Sequence, residues 1–296
     1  MTRVTVLIPT HDHAETLPIT VRSVLGQTLT DLEVILIGDG VDEATRSAAL
    51  ELVTGDARVR FLDFPKGPHH GETYRHEAIL QSTGEVIAYL CDDDLMLPTH
   101  LAQLVTLLEN HDFVQSLNGH VDTEGRLSLY PGDLSDPEFI EGICDPALGY
   151  NFVSITGTAH TREYYDRAGE VWHTTPAGEF PDQHQWRRML AAAPARGATS
   201  SQMTALQFPT HLDARGEWNA DQRRAEIESW ADRVAAPDGQ ELVDALVYEA
   251  SWRQLLAAGK RELRHARNVR DHALRAQSQP VWRRVLGGAW RGLRRR

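Results

Sequence analysis

Short apolar, β-branched segments alternate with helical patterns over the first 120 residues of the chain. The continuous apolar runs predict five strands buried on both faces, as in a parallel sheet. The helical patterns between them carry apolar residues every three or four positions, and several end at Gly or Asn. The predicted strands are 4–9, 32–38, 59–63, 86–90 and 113–117, and the predicted helices are 17–26, 43–53, 73–82 and 101–110.

This alternation predicts an α/β fold with a mostly parallel, doubly wound sheet and flanking helices. Ligands of such sheets bind beyond the carboxyl ends of the strands. We therefore expect the chemistry of this chain directly after its strands.

The pattern is less regular after residue 118. The segment 119–151 is rich in Gly, Pro and Asp and predicts loops or edge hairpins. Asn219 is a good cap for a first late helix, and Asp238 for a second that ends at Gly259. Between them lie two predicted strands, 152–158 and 203–208, and two predicted helices, 161–168 and 183–193.

We divide the chain into an α/β domain, a helical extension and a tail. The domain covers 1–210, in two halves at 1–118 and 119–210. The extension covers 211–279, and the tail covers 280–296.

The composition is that of an ordinary globular protein, with 41% hydrophobic and 24% charged residues. No apolar run approaches the ~18 residues of a membrane-spanning helix, and the first residues predict a strand and not a signal peptide. Two cysteines, Cys91 and Cys144, provide no disulfide framework. We expect a cytoplasmic protein.

Charge is distributed unevenly. Residues 260–296 contain 12 basic and two acidic residues, which leaves 18 basic and 40 acidic residues in the rest of the chain. The acidic body argues against nucleic acid as a partner, because binding to phosphates needs clustered cations.

The basic tail has its own pattern. Trp282 and Trp290 share one face of a predicted helix whose arginines lie mostly elsewhere. This pattern favours peripheral contact with the inner face of a membrane. Docking onto the acidic body, docking onto a second subunit of a homodimer, and disorder are the alternatives.

Polar residues follow three of the predicted strands: Pro9-Thr10-His11-Asp12, Gly38-Asp39-Gly40 and Cys91-Asp92-Asp93-Asp94. Three adjacent carboxylates repel one another unless a cation is present. Mg²⁺ typically combines one or two carboxylates with substrate phosphates. The alternative is that Asp93 and Asp94 only cap the following helix.

Other motifs are absent from the sequence. It has no Walker A loop, no Gly-x-Gly-x-x-Gly after the first strand, no Gly-x-Ser-x-Gly elbow and no helical His pattern for zinc. These absences weaken the NTPase, dehydrogenase and hydrolase interpretations.

The strand-end segments, in this order and together with Leu25-Gly26-Gln27-Thr28, Tyr74-Arg75-His76-Glu77-Ala78 and Pro98, resemble the GT-A fold of family 2 glycosyltransferases. The resemblance covers residues 1 to about 120 well and continues more loosely to about 210. It implies an inverting transfer of sugar from a nucleotide-sugar donor to a hydroxyl acceptor, with Mn²⁺ or Mg²⁺ as cofactor. It also implies that 1–210 is the catalytic domain, with a nucleotide-sugar-binding half at 1–118 and an acceptor and catalytic half at 119–210.

The resemblance also implies roles for individual residues in donor binding. Thr10 and its neighbours Pro9 and His11 would contact the nucleoside, and Asp39 would bind its base. Arg75 matches the arginine of the family's Ala-Arg-Asn turn, although His76 replaces the Asn.

The Asp92–Asp94 run would be the family's DXD motif. Asp92 and Asp93 would bind the nucleotide sugar, and Asp92 and Asp94 would hold the metal. The sequence does not decide whether Asp93 or Asp94 is the main ligand. His211 could join the metal, as a C-terminal His does in some GT-A enzymes.

Inverting transfer needs a carboxylate that accepts the proton of the acceptor hydroxyl. Asp182 lies where the family base lies, at a predicted helix N-terminus, and we favour it over Glu179. The alternative is that Asp182 only caps this helix. His160 is placed where it could contact the acceptor or the diphosphate.

Two other functions remain open. A nucleotidyltransferase also uses a parallel sheet and an Asp-bound metal, but normally has a Gly-rich basic loop after its first strand. A non-catalytic nucleotide-sugar-binding or scaffold protein would keep Asp39 and the aspartate cluster but would not need Asp182.

Overall fold

The computed structural model describes residues 3–130, 132–148, 152–210 and 214–278, with side chains as far as Asp271. The predicted tail and His211 lie outside these residues. Within them, none of the helices is long and apolar enough to cross a membrane. The chain divides into two compact units, with the boundary in the sequence after Val247.

A seven-stranded sheet is the centre of the first unit. Its spatial order is β10-β6-β9-β4-β1-β2-β3. The strands are β1 (Val4–Thr10), β2 (Leu32–Asp39), β3 (Val59–Phe64), β4 (Val86–Tyr89), β6 (Phe113–Gln115), β9 (Thr158–Thr161) and β10 (Gly197–Thr199). All neighbours are parallel except β9, which runs antiparallel to both β4 and β6.

Two small antiparallel pairs accompany the main sheet: β5 (Leu95–Met96) with β11 (Ala205–Leu206), and β7 (Asn118–Val121) with β8 (Leu127–Tyr130). The helices are α1 (Leu17–Leu25), α2 (Glu43–Gly55), α3 (Tyr74–Gln81), α4 (His100–Leu108), α5 (Pro137–Cys144), α6 (Arg162–Ala168), α7 (Pro181–Ala192), α8 (Ala220–Ala235) and α9 (Gly239–Ser278). A short 3₁₀ turn, Ala214–Glu217, precedes α8.

Apolar side chains alternate between the two faces of the sheet, as strand geometry requires. Val34 and Leu36 of β2 belong to a buried cluster with residues of α1 and α4. Ile35 and Ile37 belong to a second cluster with residues of α3, α5, α6 and α7. The sheet is therefore covered by helices on both sides, and the expected α/β architecture is confirmed.

The predicted strands and helices of the first 120 residues are confirmed to within two residues at each end. The strand predicted at 152–158 is wrong, because 152–157 form a loop and β9 begins at Thr158. This loop closes at Gly157, whose φ of +86° is unsuited to a strand of L-residues. The expected hairpin in 119–151 is present as β7 and β8, but α5 was not anticipated.

The late helices start as predicted and end differently. Asn219 caps α8 and forms a capping box with Gln222. The following helix, α9, does not end at Gly259 but continues to Ser278. An exposed interior glycine costs a helix only about 1 kcal/mol relative to alanine, which the residues on either side can offset.

Candidate functional site

A cavity of about 300 Å³ opens at the carboxyl ends of β1, β2 and β4. This is the edge of the sheet where the strand-end motifs were expected to meet. The residues lining it are Pro9, Thr10, His11, His13, Asp39, Lys66, His69, His70, Arg75, Cys91 and Asp92. The structure thus brings together six of the predicted donor-binding residues and adds five others.

Asp39 ends β2 and is almost fully buried. Its carboxylate pairs with the Lys66 ammonium and accepts a hydrogen bond from the Gly67 N–H at 2.6 Å. Gly71 packs against it with a φ of +59°, and a Cβ there would lie 2.5 Å from the Asp39 Cγ. The loop after β3 therefore fixes this carboxylate at the cavity wall.

Arg75 provides a buried positive charge at the cavity. It lies in the first turn of α3, 6% exposed, with its guanidinium 5.0 Å from the centre of the Trp172 ring. Its Nε and Nη1 atoms have no hydrogen-bond partner among the described residues. Burial lowers the pKa of this guanidinium. A buried cation without partners is costly unless an anion joins it.

Thr10 contributes a second unpartnered polar group. It is the last residue of β1, and its buried hydroxyl makes no hydrogen bond within the described chain. Pro9 and the exposed His11 lie beside it on the cavity wall. This end of β1 thus offers a hydroxyl to a ligand in the cavity.

Asp92 contributes a third such group. Its Oδ1 lies 2.8 Å from the His13 Nδ1, whereas its buried Oδ2 has no partner in the described structure. Burial alone lowers the pKa of His13, but the hydrogen bond to Asp92 and the charges of Asp92, Asp93 and Asp12 raise it to about 10. The imidazolium therefore anchors one oxygen of Asp92 and leaves the other available.

Asp94 faces a different environment, away from the residues that line the cavity. Its Oδ2 accepts a hydrogen bond from the Thr156 hydroxyl at 2.5 Å, and its Oδ1 accepts one from the Phe208 N–H at 2.9 Å. Burial, together with the charge of Asp93, raises its pKa well above the usual range. Both oxygens have protein donors, so the structure gives no support to the metal role predicted for Asp94.

Asp93 lies between Asp92 and Asp94 in the chain and is partly exposed. Its Oδ2 accepts a hydrogen bond from the Arg223 Nη2 at 2.8 Å. Burial and the neighbouring charge of Asp92 raise its pKa to about 6, against the opposing effects of His13 and Arg223.

The end of β4 offers one unpartnered carboxylate oxygen to a divalent cation that also binds a diphosphate. Such a cation needs only one or two protein carboxylates, and the unpartnered Asp92 Oδ2 is a suitable ligand. A cage made of protein alone is not present, since the described residues contain no group of three or more His, Cys, Asp or Glu that could hold a metal ion.

Asp182 lies in the first turn of α7, half-buried, and its Oδ1 accepts a hydrogen bond from the Gln183 N–H at 2.8 Å. Its negative charge acts to raise the pKa of Arg75, against the larger effect of burial. Glu179 is instead bound by Arg187 and lies 3.1 Å from His184. This pairing leaves Glu179 the weaker candidate for a base.

His160 is in the core and not at the site. It lies on β9 with no exposed surface, its Nε2 2.7 Å from the Tyr89 hydroxyl and its Nδ1 2.9 Å from the Thr161 carbonyl. Burial lowers its pKa to about 4. The expectation that it contacts an acceptor or diphosphate is wrong.

Sequence reasoning missed several residues that shape the site. Lys66 follows β3, so the rule that placed chemistry after each strand could have found it. Trp172, Thr156 and Arg223 lie far along the chain from the groups they contact. No local pattern marks them.

The fold is that of GT-A-type transferases. TarS of S. aureus, residues 1–349, solved with UDP-GlcNAc, has a TM-score of 0.57 over 79% of this chain and 70% of that one, at 13% sequence identity. The same fragment solved with UDP gives a TM-score of 0.54 over the same shares.

The glycosyl transferase family 2 model matches residues 5–159. The chain belongs to this family, which confirms the resemblance and classifies the chain among glycosyltransferases.

Curated relatives match in part. An uncharacterized protein of Sinorhizobium fredii is 30% identical over 60% of this chain and 22% of its own length. An uncharacterized glycosyltransferase of Nostoc is 24% identical over 56% and 52%. A Campylobacter jejuni enzyme named GalNAc(5)-diNAcBac-PP-undecaprenol beta-1,3-glucosyltransferase is 27% identical over 43% and 41%. The chain thus spans between about a fifth and a half of these relatives.

Proposed function

We propose that this protein transfers a sugar from a nucleoside diphosphate sugar to a hydroxyl acceptor, with inversion at the anomeric carbon. The observation that carries the proposal is the convergence of three unpartnered polar groups on one cavity. These are the Thr10 hydroxyl, two guanidinium nitrogens of Arg75 and the Asp92 Oδ2. Buried polar atoms are normally hydrogen-bonded, so this cavity is built for a polar ligand.

Each end of the donor has a matching group in the cavity. Asp39, held by Lys66 and Gly67, binds the base, and Pro9, Thr10 and His11 contact the nucleoside. Arg75 supplies the charge for a diphosphate, since guanidinium binds phosphate oxygens in a fixed, forked geometry.

Asp92 and Asp93 would hold a divalent cation, Mn²⁺ or Mg²⁺. Asp94 would position the strand end through its hydrogen bonds with Thr156 and Phe208. When bound, the cation stabilises the charge that develops on the departing diphosphate. His211 remains an additional candidate ligand from the sequence alone.

Asp182 is our candidate for the general base. Its carboxylate accepts the proton of the acceptor hydroxyl while that oxygen forms a bond to the anomeric carbon. The bond from the anomeric carbon to the diphosphate oxygen breaks on the opposite face, and its electron pair leaves with the diphosphate. A single displacement of this kind inverts the anomeric centre and needs no covalent intermediate.

The test of donor binding is thermal stability with UDP, GDP, ADP, CDP and dTDP, each with and without Mn²⁺. A ligand at 100 times its Kd stabilises the folded state by about 2.7 kcal/mol, enough to raise Tm by a few degrees. We expect one nucleotide to give a shift that depends on Mn²⁺. A folded protein that responds to none of the five would contradict the proposal.

A further inference from the structure

The second unit carries an exposed apolar stripe that the proposed function does not use. Residues 248–271 are part of α9, and the stripe lies on one side of this segment. Its large side chains are between 48% and 66% exposed: Tyr248, Trp252, Leu255, Leu256, Leu263 and Val269. Together with Gly259 and Ala266, these positions recur every three or four residues, as in a helix that pairs with another helix. Soluble surfaces rarely leave so many large apolar side chains uncovered on one face of a helix.

Small residues interrupt the stripe at positions that suit close packing. Gly259 lies near its middle, and no atom lies within 4 Å of the position that a Cβ would take there. Ala266 lies on the same face, one and a half turns before the end of the segment. A second helix can therefore approach closely at the centre and receive large side chains near Ala266.

The charges beside the stripe select the direction of the pairing. Glu249, 3.8 Å from Arg253, flanks its amino-terminal end. Arg267 and Arg270 flank its carboxyl-terminal end, with Arg270 2.8 Å from Asp271. Glu262 lies on the same face near Gly259. A parallel copy would place Glu249 beside Glu249 and Arg270 beside Arg270. An antiparallel copy places Glu249 beside Arg270, and opposite charges at such flanking positions favour that orientation.

We propose that α9 pairs with the same helix of a second copy of this chain as an antiparallel coiled coil centred near Gly259. In this register Trp252 of one copy packs on Val269 of the other. Leu255 packs on Ala266 and Leu256 on Leu263. At these levels the interface sets bulky side chains against small or matching ones, and at its centre it places the exposed Glu262 of each copy opposite Gly259 of the other. This pairing makes the protein a homodimer.

The first experiment measures the mass of the full chain in solution by light scattering after size-exclusion chromatography. We expect twice the monomer mass of 33.1 kDa. Leu255→Glu puts a charge into the stripe and should give monomers. Ala257→Glu is the matched control, because Ala257 is exposed on the opposite side of the helix, and it should remain dimeric. A monomeric wild type would overturn the proposal. It would leave a lipid surface or the chain's own tail to cover the stripe.

The second experiment tests orientation by disulfide formation under mild oxidation, observed on non-reducing gels. The double variant Glu249→Cys/Arg270→Cys should form a cross-linked dimer, and neither single variant should. Within one copy these positions are about 31 Å apart along the helix, too far for an internal bridge. Cross-linking by the single variants would show a parallel pair, and no cross-linking by any of the three would exclude the interface; either result contradicts the proposal.

Discussion

The Arg223 guanidinium of α8 donates a hydrogen bond to Asp93 at 2.8 Å, although 130 residues separate the two in the chain. Arg223 also pairs with Glu226 at 3.3 Å, and Glu226 in turn binds the fully buried Arg215. A helix outside the sheet therefore holds one acid of the strand-end cluster in place, and the late helical segment is part of the candidate site.

Removing the guanidinium of Arg223 should destabilise the fold. Arg223→Met leaves Asp93 and Glu226 without their shared partner, and breaking a buried ion pair on one side costs about 3 kcal/mol or more. Arg223→Lys keeps the charge and should lose less. Urea unfolding measures both. Adding Asp93→Asn to Arg223→Met should restore part of the lost stability. Equal stability of the wild type, the two single variants and the double variant would show that the Arg223–Asp93 pair does not stabilise the fold.

Arg75→Met should separate binding from stability. The variant removes a buried guanidinium with unpartnered nitrogens, so the free energy of unfolding should stay level or rise. Affinity for the preferred nucleoside diphosphate should fall about 10- to 100-fold, the equivalent of ~1.5–3 kcal/mol for charge-assisted hydrogen bonds. Calorimetric titration measures the affinity. Arg58→Met, at an ion pair with Asp56 away from the cavity, is the control and should bind normally.

Asp182→Asn tests the assignment of the base. Loss of a general base typically lowers turnover by 10²- to 10⁴-fold, and we expect a loss in this range with the Kd for the nucleotide unchanged. Release of the nucleoside diphosphate reports turnover. Glu179→Gln is the paired variant and should retain most of the activity. An inactive Glu179→Gln beside an active Asp182→Asn would contradict the proposal and would make Glu179 the base.

Gly71→Ala should weaken nucleotide binding through Asp39. Its φ of +59° is strained for alanine, and the added methyl group would meet the Asp39 carboxylate at 2.5 Å. We expect at least a 10-fold loss of affinity. Gly55→Ala is the comparison, because nothing lies within 4 Å of the corresponding position at the end of α2. Unchanged binding by Gly71→Ala would mean that Asp39 does not contact the nucleotide.

His160 should make stability depend on pH. Its folded pKa of about 4 lies below the 6.5 of an unperturbed histidine, so the unfolded state binds more protons below pH 6.5. The resulting stability is present above pH 6.5 and is lost as the pH falls towards 4. Between pH 7.5 and pH 5 the loss is about 2 kcal/mol. In urea unfolding at these two pH values, the free energy of unfolding of His160→Gln should fall less than that of the wild type. Identical falls would contradict the lowered pKa of His160.

Local sequence signals account for the first half of the fold. β1, β2 and β4 are apolar runs that end in Thr10, Asp39 and Asp92, and the common direction of parallel strands brings these ends to one edge. Only the predicted strands and their common direction are needed to place Thr10, Asp39 and Asp92 on one cavity.

The rest of the site depends on contacts that no local pattern encodes. The sequence did not decide between Asp93 and Asp94 as the main metal ligand, yet His13, Arg223 and Thr156 give the three aspartates three different environments. The sequence placed His160 where it could contact the acceptor or the diphosphate, whereas pairing of β9 between β4 and β6 buries it.

The reversed direction of β9 also bears on how a nascent chain matures on the ribosome. Because β9 runs against β4, the segment before it returns to the carboxyl end of β4 and delivers Thr156 to Asp94. A chain synthesised only to residue 118 has one edge of β4 uncovered, and such edges favour aggregation. Synthesis must pass residue 161 to cover that edge and residue 223 to secure Asp93, so the chain gains its site late in translation.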